Sequence, residues 1–191
     1  MLATAGQAPE GDGWAVEPKL DGWRTIVTIS GGSVEVRTRS GRNVTDNLPE
    51  LSPVGDIGID VVLDGELVAS QGRARDFYRV APRMMARYRR ESLTFVAFDV
   101  LMLDGVDVMH LAYANRRRLL EQLELDGPAW CTVPSYDATI ADVLGGCADL
   151  GLEGVVAKKL NSIYKPGSRS RHWRKVKTDE WRALYAPLRH E

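Results

Sequence analysis

Residues 25–38 read TIVTISGGSVEVRT, and this stretch predicts a β-hairpin. Its two flanks, TIVTI at 25–29 and VEVRT at 34–38, are rich in β-branched residues, which favour the half-buried surface of a strand. The SGGS between them holds two glycines, which adopt the positive φ angles of a tight turn at little cost. The first long strands of the chain are therefore expected to be antiparallel neighbours.

Other strands are predicted at 61–63, 66–69 and 94–103. The segment 94–103, TFVAFDVLML, has apolar residues on both faces, which is typical of a central strand covered on both sides. Asp-Gly recurs five times, including 64–65, and the commonest reason for this pair between strands is a tight turn. No copy of the pair by itself indicates chemistry.

Three segments have helical periodicity. The clearest is 140–150, where apolar side chains recur at helical spacing and Thr139 begins a capping box. A second helix is expected at 115–123, and Pro82 disturbs a weaker one at 77–84. Strands outnumber helices and are mostly joined by hairpins, so the sequence predicts an α+β fold with mostly antiparallel sheets packed against helices.

The composition is that of one globular domain. The chain has 191 residues, is 44% hydrophobic and carries a formal net charge of -1, so its average charge does not indicate a polyanion partner. Cys131 and Cys147 lack metal-ligand spacing and are expected to be buried thiols in a reducing compartment. No signal peptide or membrane-spanning segment is recognisable, so we expect a soluble, cytoplasmic protein.

The first candidate for chemistry is Lys19 in EPKLDGWR (17–24). Pro18 prevents a helix there and Asp21-Gly22 turns the chain, so the lysine lies on a short constrained segment between strands. A lysine attacks only as the neutral amine, which requires nearby cations, including a metal, to lower its pKa. The alternative is an ordinary surface lysine beside a hairpin turn, and the octapeptide alone does not separate the two.

Two carboxylates and one basic segment are further candidates. Glu66 in LDGELVA and Glu153 in GLEGVVAKK each lie directly beside a Gly and close to an apolar run, which suits a hard cation or ribose hydroxyls, although turn acids are common there. Residues 158–177 hold eight Lys or Arg and no acid. If this segment ends as a strand, Lys175 and Lys177 share a face, an arrangement that favours phosphate binding over a solvated basic face. Seven arginines at 73–90 either contact a polyanion or form a solvated helix.

Taken in order, six segments resemble the nucleotidyltransferase motifs of ATP-dependent DNA ligases, a family more distantly related to RNA ligases and messenger-RNA capping enzymes. A lone KxDG is a weak signal, whereas six motifs in the family's order are a strong one. The motifs are KLDGWR (19–24), RSG (39–41), DGELV (64–68), FVAFDVLMLDG (95–105), EGVVAKK (153–159) and YKPGSRSRHWRKVK (164–177).

The resemblance implies an ATP-grasp-like nucleotidyltransferase fold, with residues 1–191 as a single adenylation domain. It implies that Lys19 takes AMP from ATP as a phosphoramidate and passes it to the 5′-phosphate of nicked duplex DNA. Such an enzyme would serve DNA repair, recombination or replication. Because the motifs are nearest to those of small bacterial ligases, a nucleoid-associated bacterial protein is expected.

The resemblance also assigns roles around the nucleotide. By resemblance, Glu17 reads the adenine amino group and Phe98 stacks on the adenine ring. Arg24 and Glu66 hold the ribose and orient the phosphate, with Glu66 assisting a metal. Glu153 is the main ligand expected for Mg²⁺ or Mn²⁺.

The remaining cations are assigned to phosphates in the same way. Arg39 contacts the phosphate at the nick, while Lys175 and Lys177 hold the α-phosphate with Arg169 nearby. Catalysis would consist mostly of positioning and charge neutralisation.

One departure from the family pattern follows the last motif. Only 14 residues follow Lys177, too few for the oligonucleotide-binding (OB-fold) domain that normally comes next. The chain is thus expected to be an excised domain or a natural minimal protein, a monomer that adenylates itself slowly or not at all alone. A separate OB-fold or repair protein is then an expected partner.

Two alternatives to the DNA ligase interpretation stay open. An RNA ligase or GTP-using capping relative is the nearest, although Glu17 favours adenine over guanine. A catalytically idle module that binds nucleotide or nucleic acid is the other, although none of the key side chains is lost.

Overall fold

The computed structural model describes residues 1–69, 72–73, 75–86 and 92–185. The described strands, in chain order, are β1 (Leu2–Ala5), β2 (Trp14–Lys19), β3 (Trp23–Ser30), β4 (Ser33–Thr38), β5 (Val61–Val68), β6 (Thr94–Leu103), β7 (Val106–Asp107), β8 (Trp130–Thr132), β9 (Gly154–Lys159) and β10 (Arg169–Lys177). The α-helices are α1 (Asp76–Ala86), α2 (Tyr113–Gln122), α3 (Ile140–Asp149) and α4 (Asp179–Tyr185).

The strands form two sheets. One has the order β1-β10-β9-β2, and the other has the order β4-β3-β5-β6-β7 with β8 added beside β6. The β1–β10 and β6–β8 pairs are parallel, and the other pairs are antiparallel. The predicted α+β class with mostly antiparallel sheets is confirmed, and β6 is a central strand as its apolar pattern predicted.

The predicted hairpin at 25–38 is confirmed, since β3 and β4 pair from Ser30 and Ser33 outward. The division of 61–69 into two strands is wrong, because β5 runs unbroken through Asp64-Gly65. Gly65 is required there for packing and not for a turn, since a Cβ would lie 2.4 Å from the Phe95 ring.

The predicted helices are confirmed with small shifts of their ends. The periodic segment at 140–150 forms α3, and Thr139 Oγ1 accepts a hydrogen bond of 3.1 Å from the backbone of Asp142, as the capping box predicted. Cys147 on this helix is buried, as expected, whereas Cys131 on β8 is only half-buried. Pro82 lies inside α1 without ending it.

Two main apolar clusters stabilise the sheets. The larger lies against the six-stranded sheet, and the smaller lies between α3 and the strands β2, β9 and β10. α2 packs on β6, where Arg116 forms two hydrogen bonds of 2.8 and 2.9 Å with Asp99, both side chains being buried. Within the described residues, no helix is both long and apolar enough to cross a membrane.

The basic segment at 73–90 is only partly described, since Arg87, Arg89 and Arg90 lie outside the described residues. Arg83 is buried and donates hydrogen bonds to Asn47 O at 3.1 Å and Glu50 at 2.5 Å, so it has a structural role.

Candidate active site

The register of the four-stranded sheet brings the basic side chains together. Lys19 of β2, Gly154 of β9 and Lys177 of β10 form one row across three strands, and Glu17, Val156 and Lys175 form a second row two residues along. Because side chains two residues apart share a face, both rows lie on the same side of the sheet.

The six-stranded sheet supplies the opposite side of a cavity of about 210 Å³. Arg24 and Glu66 are direct cross-strand neighbours there, on β3 and β5. Seven of the eight side chains assigned to nucleotide binding, besides Lys19, are among those that line this cavity: Glu17, Arg24, Arg39, Glu66, Phe98, Arg169 and Lys175, with Lys19 beside them. Glu153 contacts Lys19 directly, and Lys177 contacts Glu153.

One carboxylate holds two of the lysines. Glu153 is buried with 4% exposure, and its Oε2 accepts a hydrogen bond from Lys19 Nζ, while its Oε1 lies 2.7 Å from Lys177 Nζ. Burial alone would raise the pKa of Glu153, but Lys19 and Lys177 outweigh that effect and lower it. Glu153 is therefore an anion between two cations.

Gly154 makes this arrangement possible. Its φ is +151°, and a Cβ there would lie 2.0 Å from Val176 O and 2.7 Å from the Cα of Lys177. Only glycine tolerates so close an approach of β10. The residue before it, Glu153, is thereby placed between Lys19 and Lys177.

Lys175 extends the positive side of the cavity. Burial lowers its pKa, and the neighbouring cations Lys19, Lys177 and Arg169 lower it further, whereas Glu153 opposes the shift. An anion in the cavity would relieve this repulsion, so the cluster favours a phosphate.

Arg24 and Glu66 lie on the six-stranded sheet, opposite the lysines. Arg24 is paired with a carboxylate, whereas Glu66 has a shifted pKa. Arg24 donates to both oxygens of the buried Asp64, at 2.9 and 2.5 Å, and to Tyr164 Oη at 3.3 Å. Burial raises the pKa of Glu66 to about 7, although Lys19 and Arg24 oppose the shift. Glu66 is thus easily protonated near neutral pH, unlike Glu153.

Phe98 reaches the cavity through a β-bulge. Asp64 pairs with Asp99 and Gly65 pairs with Ala97, so Phe98 is the extra residue between them. A bulge re-aims a side chain that would otherwise follow the strand's alternation. Its ring contacts Trp173 edge-on with 6.0 Å between centroids, and it offers the cavity an aromatic surface.

Glu17 is held by partners that the sequence did not single out. It is buried, accepts a hydrogen bond from Tyr113 Oη, and lies 2.7 Å from Lys158 Nζ. Lys158, 1% exposed, also donates to Phe98 O at 2.8 Å and lies 4.4 Å from the centre of the Trp173 ring. Burial lowers the pKa of Lys158, although Glu17 opposes the shift.

Arg39 and Arg169 lie at the exposed rim of the cavity. Arg169 Nη1 donates to Ala3 O at 2.7 Å, which ties the rim of β10 to β1. Both guanidinium groups can meet a phosphate without first leaving a buried site.

A family model described as the ATP dependent DNA ligase domain matches residues 2–177. The chain belongs to this family. Among curated relatives, it is 36% identical to the multifunctional non-homologous end joining protein LigD of Mycolicibacterium smegmatis over 93% of this chain and 23% of that protein. It is 35% identical to a DNA ligase of Natronomonas pharaonis over 94% of this chain and 35% of that protein. The chain thus spans about a quarter to a third of these relatives.

Solved structures of ligase domains have the same fold. The ligase domain of Mycobacterium tuberculosis LigD superposes with a TM-score of 0.80 at 36% identity, covering 92% of this chain and 59% of that one. A mycobacterial DNA ligase D complexed with ATP and MES gives a TM-score of 0.72 at 34% identity over 92% of this chain and 60% of that one. The resemblance inferred from the six motifs is confirmed.

The described side chains of this ligase domain supply only part of the ligand set that a divalent ion needs. Among the described residues, no group of three or more His, Cys, Asp or Glu side chains could hold a metal. Glu153 is a suitable oxygen donor, and Mg²⁺ is usually bound by one or two carboxylates together with substrate phosphates. The donor set therefore fits an ion that arrives with a phosphate.

Proposed function

We propose that this chain is the adenylation domain of an ATP-dependent DNA ligase, in which Lys19 forms a covalent lysyl-AMP. The observation that carries the proposal is the position of Lys19 at the wall of the 210 Å³ cavity, in contact with Glu153 and within electrostatic reach of Lys175. A nucleophile beside a cluster of cations suits attack on a phosphate.

The purine is assigned to the part of the cavity between Phe98 and Glu17. Phe98 offers the aromatic face, and Glu17 offers carboxylate oxygens whose remaining lone pairs can accept from an adenine amino group. Guanine would present a carbonyl oxygen there and would be repelled. Lys158 and Tyr113 fix the carboxylate in place. An equal rate of self-labelling with ATP and GTP would refute this assignment.

The first chemical step joins Lys19 Nζ to the α-phosphorus of ATP while the bond to the β-phosphate oxygen breaks and pyrophosphate leaves. The ammonium must lose a proton before attack, and Glu153 accepts its hydrogen bond and is in contact to receive it. Lys175 and Lys177 neutralise the α-phosphate, with Arg24 and Glu66 positioning the ribose side.

A divalent ion, Mg²⁺ or Mn²⁺, would be held by Glu153, with Glu66 assisting. When bound it would neutralise phosphate charge and disfavour the protonated form of Lys19.

Transfer to DNA completes the proposed reaction. The 5′-phosphate oxygen at a nick attacks the lysyl-AMP phosphorus and releases the Lys19 amine, and sealing by the adjacent 3′-hydroxyl then releases AMP. Arg39, exposed at the rim, is assigned to the nick phosphate. Arg169, assigned near the α-phosphate and also exposed at the rim, is proposed to contact the DNA backbone as well. An OB-fold or repair protein partner would assist both self-adenylation and binding of the nick, and the domain is proposed to act as a monomer.

The proposal is tested by intact-mass analysis of the purified protein with ATP and Mg²⁺ under mild conditions, because a phosphoramidate is labile in acid. Wild type should gain the mass of one AMP, and Lys19→Ala should gain none. The matched control is Lys165→Ala, an exposed lysine of the basic segment, which should label like the wild type. An equal gain in wild type and Lys19→Ala would refute Lys19 as the nucleophile.

A further inference from the structure

The helix α4 lies directly against the group formed by Lys19, Glu153 and Lys177. Thr178, the residue between β10 and α4, is buried, and its backbone N–H donates to Glu153 O at 3.1 Å. Its hydroxyl accepts a hydrogen bond of 3.1 Å from the backbone of Trp181, as an N-cap residue does. The start of α4 is therefore hydrogen-bonded to the backbone of Glu153, the residue whose carboxylate contacts both Lys19 and Lys177.

This anchoring places the Trp181 ring on an ammonium group of the site. Lys177 Nζ lies 3.2 Å from the centre of the ring and 2.7 Å from Glu153 Oε1. A cation over the face of tryptophan is attracted by the ring, and more strongly where water is excluded. Lys177 is thus held between a carboxylate and an aromatic face, with only 15% of its side chain exposed.

The far end of α4 is attached to the segment that follows Lys19. Tyr185 packs on Trp181 with 5.3 Å between ring centres, and the guanidinium of Arg75 lies 5.0 Å from the Tyr185 ring. The backbone N–H of Arg75 donates to Asp21 at 2.8 Å. α4 therefore contacts Lys177 directly and, through Arg75, the segment that follows Lys19.

We propose that Trp181 is a positioning residue of the adenylation reaction, which acts by holding Lys177 in the orientation that reaches Glu153 and the α-phosphate. The inference rests on the proposed function of Lys19. A lysine side chain has many rotamers, and the ring removes most of them before substrate arrives. Trp181 is not among the described residues that line the nucleotide cavity, so its loss should affect the rate and not the binding of ATP.

The first test measures the rate of lysyl-AMP formation as a function of ATP concentration. Trp181→Ala should lower the rate at saturating ATP about tenfold, which corresponds to about 1.4 kcal/mol of activation free energy, with KM for ATP within about twofold. Trp181→Phe should restore most of the rate, because phenylalanine also presents a ring face. A wild-type rate in Trp181→Ala would overturn the proposal.

The chain offers a matched control and a background that separate positioning from general damage. Trp14 makes a similar contact with Lys159, 5.2 Å from Nζ to the ring centre, at the other end of the sheet, and Trp14→Ala should adenylate normally. In a Lys177→Ala background, Trp181→Ala should cause no further loss, because its target is gone. An equal loss in both backgrounds would show that Trp181 does not act through Lys177.

A second test does not depend on activity. Trace acetylation followed by peptide mass spectrometry measures how accessible each lysine is, and Lys177 should be labelled severalfold faster in Trp181→Ala than in wild type or Trp14→Ala. Unchanged labelling of Lys177 would overturn the proposal. An absence of lysyl-AMP in wild type would count against the proposed function and not against this inference, and the labelling would then decide whether Trp181 holds Lys177.

Discussion

Glu66 and Glu153 both interact with the charge of Lys19, yet their surroundings shift their pKa values in opposite directions. Burial raises the pKa of Glu66 to about 7 against the pull of Lys19 and Arg24, while two ammonium groups in direct contact lower the pKa of Glu153. Two carboxylates with such different pKa values can take different roles in one site. Glu153 stays charged for the lysines, and Glu66 changes its charge near neutral pH.

This difference predicts how the free energy of unfolding depends on pH. An unfolded glutamate loses its proton near pH 4.5, whereas folded Glu66 keeps it up to about pH 7. The folded chain therefore binds more protons between these values, and the contribution of Glu66 falls as pH rises through that window. Glu66→Gln should match wild type near pH 4.5 and exceed its stability by about 3 kcal/mol at pH 8.

Urea unfolding of both proteins at pH 5, 6, 7 and 8 checks this prediction. The difference between wild type and Glu66→Gln removes the contributions of groups common to both, including the Met1 amino group, whose pKa burial lowers to about 5. A difference that stays constant from pH 5 to pH 8 would show that Glu66 has an ordinary pKa.

At the scale of strands, the site depends on how closely β9 and β10 approach each other at Gly154. Gly154→Ala would place a Cβ 2.0 Å from Val176 O, and the two strands would have to separate. Because Glu153 and Lys177 lie at that point, the substitution should destabilise the fold by about 2 kcal/mol or more and abolish labelling of Lys19 by AMP. Urea unfolding and intact-mass analysis measure the two effects.

Gly145 provides the matched control for this change. It lies exposed in α3, and a Cβ there would meet nothing within 4 Å. Gly145→Ala should stabilise the protein by about 0.5–1 kcal/mol, because alanine favours a helix more than glycine does. Normal stability and labelling in Gly154→Ala would mean that β9 and β10 can separate without moving Glu153.

The same scale shows which parts of the fold the sequence could predict. The hairpin at 25–38 and the capped helix α3 follow from local signals, and both were predicted correctly. The unbroken course of β5 through Asp64-Gly65 could not be predicted locally, because it depends on the Phe95 ring packed on Gly65 and on Arg24 paired with Asp64. These partners overrule an ordinary turn signal.

The site was predicted from motif order more than from the chemistry of single residues. Lys158 shows why, since lysine is rarely buried and its burial here depends on Glu17, Phe98 O and three aromatic rings from distant segments. The sequence signal for Lys158 was its spacing of two residues from Val156 along β9, which places both side chains on the face that lines the cavity. That spacing indicates a role in the site only once the pairing of β9 with its neighbouring strands is known.

For the whole molecule, the net charge of -1 conceals an uneven distribution. Acidic groups of the site are paired with cations, as Asp64 is with Arg24 and Glu153 is with Lys19 and Lys177. Exposed cations remain at the rim, along β10 and in the loop before it, at Arg39, Lys165, Arg169 and Arg171. A polyanion that approaches this face meets positive charge that the average composition does not reveal.

This distribution predicts a salt-dependent affinity for nicked duplex DNA, with Arg169 as one of the contributing charges. Each phosphate neutralised by a cation adds about 0.9 to the slope of log affinity against log salt concentration, because it releases condensed counterions. Arg169→Ala should therefore lower the magnitude of that slope by about 1 and weaken binding for all sequences alike.

Binding is measured from 50 to 200 mM salt in a Lys19→Ala background, which prevents adenylation. Arg118→Ala, an exposed arginine on α2 bonded to Asn115, should leave the slope unchanged. Equal slopes for Arg169→Ala and Arg118→Ala would place the DNA on another face of the molecule, because a cation at the binding surface cannot be removed without changing the number of counterions released.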